Sequence, residues 1–148
     1  MDNYNTLDLP GPDQEAIETD VCDLLACLNG ASRFSAVLWK LPDGLDLDEV
    51  SEDDPAHEHY IQCAGDFNGR MTCEIRELVD GKPRHYVLGR AAEADEHALA
   101  DQIVPWNGYE ARVHPNEVLT GGEVADLFRH YYRTGTNPST YSHRLLGL

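Results

Sequence analysis

The sequence predicts an α+β fold, a mostly antiparallel sheet of about five to six strands with an N-terminal and a C-terminal helix packed on it. Helical periodicity is confined to two segments near the chain ends. Between them lie short β-rich runs separated by turn residues, connections too brief for the crossover helix that parallel pairing requires. With 148 residues, 41% hydrophobic and 26% charged, the composition is that of one packed domain, residues 1–148, preceded by a flexible N-terminus over 1–12.

In EAIETDVCDLLACLNG, Ile17, Val21, Leu24, Leu25 and Leu28 recur at helical spacing, and Asn29-Gly30 supplies a stop. The acidic face of that helix, with Glu18, Asp20 and Asp23, reads as solvated surface. SAVLWKL, residues 35–41, is a continuous apolar run and predicts a central strand with Trp39 in the core. DGLDLDEVSEDDPAHEH, residues 43–59, has no sustained period and predicts an irregular connection bearing one helical turn.

HYIQCAG and RMTCEIREL predict a hairpin turned by Gly65, Asp66, Asn68 and Gly69, with Met71, Cys73 and Ile75 alternating against Thr72, Glu74 and Arg76. Asp80-Gly81 then leads into the strand PRHYVLG. IVPWNGYEARVHP reads as a loop at Pro105 to Gly108 followed by a short strand to about Val113. Thr120 and Glu123 form a capping box before the apolar stripe Val124, Leu127, Phe128 and Tyr131; Gly135 and Pro138 end that helix, and STYSHRLL supplies a final strand. Cys22, Cys27, Cys63 and Cys73 have no metal or redox spacing and read as small buried hydrophobes.

Charge narrows the function. Eleven Lys and Arg against twenty-seven Asp and Glu give −16, and −13 of it falls within the first 58 residues. Such a field disfavours nucleic acid as a direct ligand. The absence of a basic, apolar leader or a long apolar run predicts a cytoplasmic protein. No P-loop, dinucleotide-binding glycine pattern, nucleophile elbow, H-E-x-x-H or zinc-deaminase motif occurs, so catalytic residues, metal and cofactor are all expected to be none. His57-Glu58-His59 offers three polar groups, but i and i+2 point to opposite faces of a strand.

VHPNEVLTGGEVADLFRHYYRTGTNPSTYSHRLL is similar to the C-terminal part of a family of bacterial immunity proteins commonly encoded beside deaminase toxins in polymorphic toxin systems. The resemblance rests on His114-Pro115, the helix ending at Tyr131-Tyr132, and Thr134-Gly135-Thr136-Asn137-Pro138 before a closing strand. That strand reads SHRLL here, where the family usually carries tryptophan. YIQCAGDFNGRMTCEIRE and DGKPRHYVLG match the family's strand, G-x-x-G turn, strand and short glycine-ended strand, so the likeness spans most of 14–145.

The resemblance implies a non-catalytic inhibitor whose partner is a cognate deaminase toxin domain, one acting on nucleic-acid cytosine. A deaminase that binds DNA presents positive potential around its pocket, and a carboxylate-rich surface complements it. Asp43, Asp46, Asp48, Glu49, Glu52, Asp53, Asp54 and Glu58 are the expected electrostatic contacts, and Trp106, Asn107 and Tyr109 the expected anchors. The inhibitor is expected to be a monomer that contacts neither membrane nor nucleic acid. The alternative is an acidic DNA mimic or adaptor that binds basic nucleic-acid-binding proteins generally.

Overall fold

The computed structural model describes residues 14–40, 47–91 and 100–146. The expected flexible stretch 1–12, together with Asp43 and Asp46, lies outside the described residues. The elements are α1 (Gln14–Ala26), β1 (Ser35–Trp39), β2 (Tyr60–Gly65), β3 (Met71–Val79), β4 (Lys82–Arg90), β5 (Gln102–Trp106), β6 (Tyr109–Val113), α2 (Gly121–Thr134) and β7 (Tyr141–Leu145), with short 3₁₀ turns at Leu47–Glu49, Pro55–Glu58 and Pro115–Glu117. An antiparallel sheet ordered β1-β2-β3-β4-β7 and a separate β5-β6 hairpin make up the strands. Among the described residues no helix is long and apolar enough to cross a membrane.

Alternation divides the large sheet into two faces. Ile61, Cys63, Cys73, Ile75 and Leu88 point to one face, where they share a core with Val21, Leu25 and Leu28 of α1 and Val124, Leu127, Phe128 and Tyr131 of α2. The helices also pack on each other, so one core serves three layers of contact. Tyr60, Gln62, Glu74, Arg76, His85 and Val87 point to the opposite face, cross-strand neighbours through the pairs Tyr60↔Arg76, Gln62↔Glu74, Arg76↔His85 and Glu74↔Val87. The β5-β6 hairpin covers part of that second face through Val104 and Val113, which are buried with Val87.

The capping box of α2 forms as its sequence predicts: the Glu123 N–H donates to Thr120 Oγ1 at 3.2 Å, and the Thr120 N–H donates to Glu123 Oε1 at 3.1 Å. Its first residue is glycine for a steric reason, since a Cβ on Gly121 would stand 2.4 Å from the Phe67 carbonyl oxygen. The helix closes on Gly135 at φ 67°, whose N–H donates to the Tyr131 carbonyl at 2.7 Å.

Four expectations change. Among the described residues β1 is an edge strand, paired with β2 alone. Its apolar run reflects cover on both faces, which is independent of how many strands flank it, and Trp39 is half-buried on the face away from the helices. The loop expected at Pro105 to Gly108 is a strand end and a two-residue turn: Asn107 (φ 49°) and Gly108 (φ 80°) both take the left-handed conformation that an Asn-Gly hairpin turn uses. Of the cysteines, Cys63 and Cys73 are buried, whereas Cys22 is half-buried and Cys27, beyond the end of α1, is exposed. Glu18 is not solvated surface; it is buried and accepts from the Arg133 guanidinium, tying α1 to the last turn of α2.

Candidate protein-interaction surface

The acidic segment leaves the sheet after β1 and returns to it at β2, where the Lys40 N–H donates to the His59 carbonyl at 3.0 Å and extends the ladder. Val50 and Ala56 are its buried anchors. Asp48 and Glu49 before Val50, and Glu52 and Asp53 between the two anchors, are exposed. The other two described carboxylates hold the segment in place. Asp54 Oδ1 accepts from the Ala56 N–H at 2.9 Å and caps the 3₁₀ turn, and Glu58 pairs with Arg76. The expected set of eight therefore divides into outward-facing charge and local scaffold, with Asp43 and Asp46 undescribed.

Beneath this segment lies an aromatic and polar row. Trp39 packs on Tyr60 with centroids 4.5 Å apart and meets His57 edge-on, while Tyr60 meets His85. His85 Nε2 lies 2.9 Å from Glu74 Oε2, which also accepts from the Gln62 amide. Burial pushes the Glu74 carboxyl up, but the hydrogen bonds from His85 and Gln62 outweigh it and hold the group below the usual carboxylate range. His57-Glu58-His59 does not act as a unit, because Glu58 binds Arg76 and His57 lies against Trp39. The thiols on the helix face are unsuited to nucleophilic chemistry: burial pushes Cys63 up to about 12 and Cys73 well above its ordinary value.

The expected anchors occupy the hairpin tip. Trp106 and Tyr109 are directly paired across β5 and β6, and their rings stack at 5.0 Å. Trp106 stacks on Phe34 at 5.6 Å from its other side, and the Asn107 N–H donates to the Gly30 carbonyl at 2.7 Å, which pins the tip beside the start of β1. Tyr109 is 63% exposed, a large value for an aromatic. The aromatic stack thus stands at the Ser35 end of β1 and the acidic segment at the Trp39 end. The four residue steps of β1 between those two ends span about 13 Å. Both lie at the β1 edge of the sheet.

A concavity, absent from the sequence reading, opens on the helix face just past the end of α2. It has a volume of about 360 Å³ and is walled by Glu77 of β3, Tyr86 of β4, Asn137 of the following turn, and Tyr141 and His143 of β7, among others. Tyr86 and His143 meet edge-to-face at 5.0 Å. No local pattern could have announced it, because its walls come from four segments of the chain.

Comparison with protein-family models, curated proteins and solved structures finds no match to this chain.

Proposed function

We propose that this chain is an immunity protein: it binds a cognate deaminase toxin, one acting on nucleic-acid cytosine, and inhibits it by covering the active site or the substrate groove. The observation that carries the reading is the pairing, along one sheet edge, of outward-facing carboxylates with an aromatic stack whose outer ring, Tyr109, is exposed. The strand between them spans about 13 Å, short against the roughly 800 Å² that each partner contributes to a standard interface. The resemblance of the segments 60–89 and 113–146 to such proteins supports the same reading; the comparisons with known proteins add nothing to it.

The two halves have different physical tasks. Asp48, Glu49, Glu52 and Asp53 project a field that steers a basic surface inward and can occupy arginine and lysine sites otherwise used for phosphates. Residence depends on desolvated contact, for which Tyr109, backed by Trp106 and Phe34, offers a rigid apolar face at low entropic cost. Inhibition then proceeds by obstruction in the cytosol of the producing cell.

Co-expression with the toxin domain is expected to restore growth, and the purified protein to abolish deamination at equimolar ratio. Absence of rescue by the full chain removes the proposal. Binding to several unrelated basic proteins, lost by ~0.5 M salt, would instead identify a general acidic mimic.

A further inference from the structure

We propose that the 360 Å³ pocket beyond α2 is a binding site for a guanidinium or alkylammonium cation. The inference concerns a different face from the interaction surface and holds whether or not the inhibitor reading does. The volume lies toward the small end of ligand pockets, which run about 300–1,000 Å³, and suits one extended basic side chain or a small amine.

The walls select the charge. Glu77 contributes a carboxylate that makes no hydrogen bond or ion pair with the described residues. Asn137 adds a side-chain amide to the wall. A half-buried carboxylate without a partner among the described residues, beside an amide, suits a ligand rich in N–H groups. Tyr86, Tyr141 and His143 add aromatic rings, the surfaces on which guanidinium and ammonium groups settle. Among the described residues no Lys or Arg lines the cavity. Two cations stand outside it: Arg84, directly across the ladder from Glu77, and Lys40, whose Nζ lies beside Gly135. Neither forms an ion pair with Glu77, so the carboxylate retains its capacity for an incoming cation. The same chemistry could arrive on a polypeptide arginine or a free amine such as agmatine.

The test titrates the full-length protein, by NMR or calorimetry, with agmatine, with Nα-acetyl-arginine amide, and with the corresponding neutral citrulline amide. Saturable millimolar binding of either cation, and none of citrulline, is expected. Preference for the blocked arginine assigns the source to a polypeptide, and preference for agmatine to a small amine. Glu77→Gln should weaken binding about tenfold or more, whereas Glu110→Gln, which removes the same charge from the exposed hairpin, should leave it unchanged. Unaltered thermal unfolding of Glu77→Gln separates lost binding from lost structure, and Asn137→Ala serves as the second variant if Glu77→Gln is unstable. Citrulline binding as well as arginine, equal weakening by Glu77→Gln and Glu110→Gln, or no saturable binding of any probe would each overturn the proposal.

Discussion

Removing the arginine of the buried ion pair Glu117–Arg144 tests how the closing strand is held. The Glu117 side chain is 3% exposed and its partner 37%. Arg144 donates from Nε to Oε2 and from Nη2 to Oε1, both at 2.9 Å, and the His114 N–H donates to Oε1 at 2.7 Å. Among the described residues, Oε2 therefore depends on the guanidinium alone. Arg144→Met strips that oxygen of its donor and leaves a carboxylate enclosed without a countercharge. Breaking a buried pair from one side costs about 3–5 kcal/mol, and the partial exposure of Arg144 argues for the lower end, about 3. Against a total stability of roughly 5–15 kcal/mol this is a large fraction. With a urea m-value near 2 kcal/mol/M, the unfolding midpoint should fall by about 1.5 M. The double variant Glu117→Gln/Arg144→Met should recover most of that loss, because no charge is then buried and the His114 N–H keeps an acceptor. A single-variant loss below ~0.5 kcal/mol, or a double variant no more stable than the single, would refute the assignment of the cost to an uncompensated carboxylate.

Neutralising the outward charge with Asp48→Asn, Glu52→Gln and Asp53→Asn should slow association with the toxin about tenfold at low salt and flatten its ionic-strength dependence, measured by stopped flow; dissociation should change little. Trp106→Ala removes the ring that backs Tyr109, so dissociation should accelerate roughly thirtyfold, equivalent to about 2 kcal/mol, with association near the wild-type rate by surface plasmon resonance. The Arg133 guanidinium beside Glu18 holds its carboxyl below the ordinary value. A lowered folded pKa gives stability that is present above the unfolded value and lost as pH falls toward the folded one. Glu18→Gln should accordingly be less stable than wild type at neutral pH, and the difference should close as denaturation is followed from about pH 5 to pH 3.

Much of the fold was legible because its determinants are local. Thr120 and Glu123 carry their own capping geometry, Gly135 its left-handed stop, and Met71, Cys73 and Ile75 their alternation, whatever the rest of the chain does. The β5-β6 hairpin was legible too, in the Asn107-Gly108 pair, but Pro105 diverted the reading toward a loop. Proline is tolerated there because β5 pairs with β6 alone, and such a two-stranded element leaves one side without a ladder to interrupt. The candidate surface was half legible. Charge density marked residues 43–58, yet nothing in the sequence distinguishes exposed Asp53 from Asp54, which caps a turn, or from Glu58, which binds Arg76.

By itself the sequence determined the fold class, the ends of α2 and the location of the excess negative charge, since each depends on residues within a turn or two of one another. Tertiary structure alone decided that β1 lies at an edge, that the aromatic stack and the acidic segment share that edge, that Glu18 and Glu117 are enclosed, and that Glu77 and Asn137 wall one cavity. Those are facts about residues brought together from distant parts of the chain. Pairing and burial of that kind depend on how whole layers pack, and the same local pattern is compatible with more than one packing.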